Sequence, residues 1–173
     1  MGTDINGAFG HRITFPPTES LAQSMRVGIQ PVSPIFQGDW SVDPNDYASS
    51  RRLISIHGYG LSVLFGPHAA LIPSGYAWPG PMEHSNEQQL VIWAIRAVAR
   101  FFRSPRVIFL PDDIEPWCDI DTWIAEGLTL EELQQRLARI REPSPDFSAA
   151  IRQSPDSWQV DGYVVEELEY DAI

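Results

Sequence analysis

Lysine is absent from this chain, and cysteine occurs once, at Cys118. A single thiol excludes an intramolecular disulfide and fits a reducing compartment, so the expected location is the cytoplasm. The lack of lysine excludes a P-loop, and the nearest glycine-rich stretch, Gly58 and Gly60, has Val63 where a dinucleotide fingerprint wants a third glycine. The longest apolar stretch, Leu90 to Phe102, is cut by Arg96 and Arg100. It falls short of the roughly 20 residues that a membrane span needs. The opening "MGTDINGAFGHR" has no basic segment followed by an apolar one, so no secretory signal is expected. Asn6 stands where a myristoylation signal requires Ser or Thr.

What is present is acidity, and it is unevenly placed. Residues 1–110 hold seven acids and eight arginines, a net +1, whereas residues 111–173 hold sixteen acids and four arginines, a net −12. Such a surface repels nucleic-acid phosphates and attracts basic proteins. All twelve cations are arginines, planar forks suited to carboxylate pairing. The stripe Arg96, Arg100, Arg103 with Arg106 is therefore expected to pair with carboxylates of the C-terminal third. At 173 residues, with 43% apolar residues and six tryptophans, the chain is long enough and apolar enough to bury one core.

Periodicity places the elements. The proline-punctuated residues 1–50 read as short strands and covering loops, and residues 51–173 as the core with its acidic C-terminal third. "RRLISIHGYGLSVLF" (51–65) alternates on both sides of a glycine-containing turn and predicts a β-hairpin, with "AALIP" (69–73) as a third strand. A long buried helix is expected over about 86–103, with Asn86 as N-cap. "RVIFLP" (106–111) reads as a strand buried on both faces. A short helix near Asp121–Glu126 should close at Gly127. An amphipathic helix over about 129–141 should start from Thr129 and Glu132, with Leu130, Leu133, Leu137 and Ile140 inward. A short helical stretch through Phe147–Arg152 is also expected. Asp161-Gly162 predicts a two-residue hairpin turn with Val160 opposite Tyr163 and Trp158 opposite Val165. Hairpins mixed with one helix-to-strand unit give a single α+β domain with a mostly antiparallel mixed sheet.

Motifs that could carry chemistry are sparse. "LISIHGYG" (53–60) resembles the strand-to-loop segment of α/β-hydrolases, where His-Gly and a further Gly follow an apolar strand. The resemblance implies an oxyanion-hole loop, but no two glycines stand four apart, so the G-x-S-x-G elbow that carries the nucleophile is missing. A glycine-containing hairpin turn explains the same residues. His11, His57, His68 and His84 show no i, i+4 pair and there is no cysteine cluster, so no metal or other cofactor is expected. Cys118 lies among acids, which disfavour its thiolate. Asp112 and Asp113 follow a strand, where α/β proteins often place ligand-contacting carboxylates. An enzymatic alternative would use His57 with Asp112 and Asp113 in a cleft.

The favoured reading is a non-enzymatic acidic binding protein of the immunity-protein or antitoxin type. Trp117, Trp123, Trp158 and Tyr163 would serve as anchors, with Asp119, Asp121, Glu131 and Glu132 steering a basic partner such as a toxin or nuclease.

Overall fold

The structure, a computed structural model, describes residues 3–14, 18–29, 40–43, 52–56, 61–79, 86–112 and 116–171. Among these residues, nine strands and four helices run in the order β1 (Asp4–Gly10), α1 (Glu19–Ile29), β2 (Trp40–Asp43), β3 (Arg52–Ile56), β4 (Leu61–Phe65), β5 (Ala69–Ala77), α2 (Asn86–Phe101), β6 (Arg106–Pro111), α3 (Ile120–Ala125), α4 (Leu130–Ile140), β7 (Ile151–Ser154), β8 (Ser157–Val160) and β9 (Val164–Glu167). Seven strands form one sheet in the order β2-β3-β4-β5-β1-β6-β9, every neighbouring pair antiparallel, and β7 and β8 form a separate two-stranded ribbon. The fold is α+β, as expected.

Alternation along the central strands divides the interior in two. Ile5 and Phe9 of β1, Ala70 and Ile72 of β5, and Val107 and Phe109 of β6 pack with Met25 and Ile29 of α1 and with Val91, Ile95 and Val98 of α2. Ala8, Ala69, Leu71, Ile108 and Leu110 point the other way, against Ile120 and Ile124 of α3 and Leu130, Leu133 and Leu137 of α4. The sheet is thus the middle of three layers. β6 is buried on both faces as its sequence implies, though between antiparallel neighbours. α2 lies close on the sheet: a Cβ built at Gly7 would sit 2.3 Å from Ile95 Cγ2, so only glycine fits there.

The local signals explain the helix ends. Thr129 Oγ1 accepts the Glu132 N–H at 3.1 Å while the Glu132 carboxylate accepts the Thr129 N–H at 2.9 Å, the reciprocal capping box read from the sequence. Gly127, at φ +107°, ends α3 in a backbone region that favours glycine. α2 closes with Arg103 in the left-handed region at φ 53° and with the Ser104 N–H donating to Ala99 O at 3.0 Å. Ile140, expected inward on α4, is 41% exposed.

Two regions depart from expectation. Residues 1–50 are not merely covering segments: β1 is an interior strand between β5 and β6, and α1 is an eleven-residue helix that buries Ala22, Met25 and Ile29. At the C-terminal end, Asp161-Gly162 does not turn a hairpin. The hairpin is β7–β8, in which Val160 faces Ile151 and Trp158 faces Gln153, and β7 replaces the end of the helical stretch expected through Arg152. Both the Asp161 and Gly162 N–H groups donate to Ala150 O, at 2.8 and 3.0 Å, and the chain then crosses to the main sheet as β9. Val160 and Tyr163 end in different clusters, on opposite sides of that sheet.

Candidate functional site

Of the eight residues expected to form a binding surface, seven belong to the α3/α4 layer, two of them buried inside it, and Trp158 lies apart on β8. Trp117 and Tyr163 are 2% and 0% exposed and pack edge to face, with ring centroids 5.8 Å apart, inside the α3/α4 cluster. The Tyr163 hydroxyl donates to Arg141 O at 2.9 Å, and burial, then the nearby Glu142 charge, raises its pKa. The Trp117 indole N–H finds no acceptor among the described residues. As placed, neither ring has surface to offer a partner, because both complete the interior that the α3/α4 layer needs. Trp158, on β8, is 37% exposed and shares its strand face with Val160, which belongs to the α1/α2 cluster.

Asp119, Asp121, Trp123, Glu131 and Glu132 do share the α3/α4 layer. Trp123 is half-buried, with the Arg136 guanidinium 4.6 Å over its ring. Asp121 accepts the Thr122 N–H at 2.7 Å, and the exposed Glu132 is held below the usual carboxylate range by the Thr129 backbone bond and then by the Thr129 hydroxyl. Glu131 meets Arg106 at 3.2 Å. Asp119 precedes α3 without capping it, and Asp119 and Glu126 are exposed and carry no ion pair among the described residues. From the sequence Glu126 stands only as the end of the short helix and not as a binding residue; its place one residue before the helix-ending Gly127 was the available signal.

The expected pairing of the arginine stripe holds at two positions. Arg96 grips Glu166 through two contacts, Nη2 to Oε2 at 2.7 Å and Nε to Oε1 at 2.6 Å. Arg106 reaches Glu131 and, at 3.5 Å, Glu167, so it ties α4 to the edge strand β9. Arg103 instead lies 5.1 Å over the Tyr170 ring, whose hydroxyl donates to Ser104 O at 2.5 Å. Asp161 pairs with Arg141 and lies 3.9 Å from Arg152.

Of the enzymatic trio, only Asp112 can be placed; His57 and Asp113 lie outside the described residues. Asp112 serves the backbone: its Oδ1 accepts the Asp4 N–H at 3.1 Å, and its own N–H donates to Asp4 O at 3.1 Å. Burial, and then the Asp112 charge, raises the Asp4 pKa. Among the described residues, no three His, Cys, Asp or Glu side chains gather as a metal site, and no helix is long and apolar enough to cross a membrane.

A second surface escaped the sequence reading. Trp93, on the otherwise inward-packed α2, is 57% exposed. It shares a stripe with Gln89, Arg96 and Arg100 at helical spacing, and that placement among polar positions was the signal. Beside the stripe, a groove of about 330 Å³ runs between α2 and the turn at 146–148. No protein-family model, curated protein or solved structure matches this chain.

Proposed function

We propose that this is a non-enzymatic binding protein of the immunity-protein or antitoxin type, acting in the cytoplasm without a cofactor. It docks on a basic protein partner, such as a toxin or nuclease, through the α3/α4 layer. The observation that carries the reading is the pair Asp119 and Glu126, exposed carboxylates bracketing α3 with no ion pair among the described residues, on the layer that also exposes Glu131 and Glu132. Unneutralised charge of this kind steers association and fixes register. Trp123 supplies the aromatic area once Arg136 is displaced from its ring. Trp117 and Tyr163 act from behind, as the packing that holds α3 and α4 in place.

The test is affinity capture from lysate of the source cell, washed at low and at high salt, using the native chain and an Asp119→Lys/Glu126→Lys variant. These positions spare the capping box and the Arg106 contacts, so the variant changes charge without removing a bond the fold uses. A stoichiometric basic partner that leaves as salt rises, and that the variant holds at least about tenfold more weakly, is the expected result. A partner indifferent to both salt and charge reversal would overturn the proposal.

A further inference from the structure

We infer that the groove between α2 and the 146–148 turn receives an arginine side chain of a basic protein partner; the inference rests on the reading that the partner is basic. The groove is lined by Gln89, Ile92, Arg96, Asp146, Phe147 and Ser148, and its volume of about 330 Å³ suits one long side chain. Its far wall is fixed. Phe147 O accepts the Trp78 indole N–H at 3.0 Å, the Phe147 ring stands edge to face with Trp78 and Phe109, and the Asp146 carboxylate accepts the Ala149 N–H at 2.7 Å.

Charge selects the occupant. The Arg96 guanidinium is matched by Glu166, which it grips through two contacts, so the surplus charge among the groove's described lining residues is the Asp146 carboxylate. Asp146 is exposed, and among the described residues its second oxygen, beyond the one bonded to Ala149, has no hydrogen-bond partner. An incoming anion would face that carboxylate, and an apolar group would desolvate Asp146, Gln89 and Ser148 without replacing their hydrogen bonds. A guanidinium satisfies all three: its fork donates to the carboxylate, the Gln89 amide oxygen and the Ser148 hydroxyl, and its methylenes lie on Ile92 and Phe147. Trp93, next to Ile92 and one turn from both Gln89 and Arg96, offers an exposed indole at the rim for the planar cation.

The groove belongs to the α1/α2 layer and the acidic pair Asp119 and Glu126 to the α3/α4 layer, so the two can be tested separately. The full chain, isotope-labelled, is titrated by NMR with a blocked Gly-Arg-Gly peptide and with its citrulline counterpart, which keeps the shape and loses the charge. The expected result is saturable movement of the Gln89 and Ser148 amides and the Trp93 indole signal with the arginine peptide only. Asp146→Asn, which keeps the turn, should weaken binding about tenfold, and Trp93→Ala, at an exposed position, about threefold. The Asp119→Lys/Glu126→Lys variant should bind the peptide as the native chain does. Equal binding of the citrulline peptide, indifference to Asp146→Asn, or signals that move on α3 instead would overturn the groove assignment and leave the acidic layer's reading standing. Arginine binding in the groove alongside a captured partner indifferent to Asp119→Lys/Glu126→Lys would overturn that reading and keep the groove.

Discussion

The two faces of the sheet divide the work of the molecule. The α1/α2 face buries rings in two groups, Phe9 and Phe65 on Phe102, and Phe109 and Trp78 on Phe147, and its half-buried cation Arg96 is matched by Glu166. The α3/α4 face is mostly aliphatic, with Trp117 against Tyr163 as its ring pair, and it carries the exposed acids Asp119, Glu126, Glu131 and Glu132. Charges such as Asp119 and Glu126, with no ion pair among the described residues, can be altered at little cost to the fold, whereas the aromatic face joins helix, strand and turn in one hydrophobic cluster.

The comparison predicts its own largest effect. Phe109 is fully buried, touches the Phe147 ring and lies under Arg96, so Phe109→Ala should cost about 3–5 kcal/mol in denaturant unfolding. Leu137→Ala, equally buried on the other face, removes a smaller, aliphatic side chain and should cost about 2–3 kcal/mol. Equal losses would mean that the aromatic linkage adds nothing and the two faces hold the fold alike.

A smaller effect probes how tightly the acidic layer is seated. A Cβ at Gly66 would lie 2.1 Å from the Ile124 carbonyl oxygen, a backbone atom that cannot move aside without shifting α3. Gly66→Ala should cost about 1–3 kcal/mol and lower the melting temperature. A neutral result would show that α3 floats on the sheet. Below that comes the cap of α4. Thr129→Ala removes one half of the box and should cost about 1 kcal/mol, read as a shift of the denaturation midpoint at constant slope.

The sequence was legible where a local rule decides the outcome. The β3–β4 pairing, with Arg52 opposite Phe65, follows from alternation, and α4 follows from Thr129 and Glu132. β1 was not legible, because "DINGAFG" has two glycines and an asparagine in a strand of seven. One of those glycines is required by Ile95, a contact set by the tertiary fold. α1 was partly legible: Ala22, Met25 and Ile29 keep helical spacing, but prolines at 16, 17 and 31 crowd a short segment that contains Gly28. The tail misled because two turn signals compete. Asp161-Gly162 is the stronger local hairpin signal, yet the turn forms at Pro155-Asp156. Gly162 is held against Ala150, and a Cβ there would lie 2.4 Å from Ser144 Oγ. Of the candidate site, Asp119, Trp123, Glu131 and Glu132 could be named from the sixteen acids and the tryptophans of the last third, but which rings lie buried beneath them depends on the crossing from β8 to β9.

The smallest expected effect concerns His11, which sits where the faces meet. Its Nε2 lies 2.8 Å from Gly66 O, a pure acceptor, so Nε2 carries the proton, and Nδ1 accepts the Ile13 N–H at 3.3 Å. Both ring nitrogens are thus used by a neutral imidazole, wedged between the edges of Phe65 and Phe102. Burial lowers its pKa below the ordinary 6.5, more than the backbone bonds to Gly66 and Ala69 raise it, and the His68 charge lowers it further. Because the folded pKa is depressed, the unfolded chain binds the proton first as pH falls. The stabilisation from His11 should therefore be complete above about pH 6.5 and be lost progressively as pH drops from there toward the folded pKa. Unfolding free energies measured in steps from pH 8 to pH 5 should show that decline, and His11→Gln should lose the part of the slope centred below the ordinary histidine range. An unchanged slope in the variant would place the proton-linked step elsewhere, and the junction at His11 would then be neutral to the balance between the two faces.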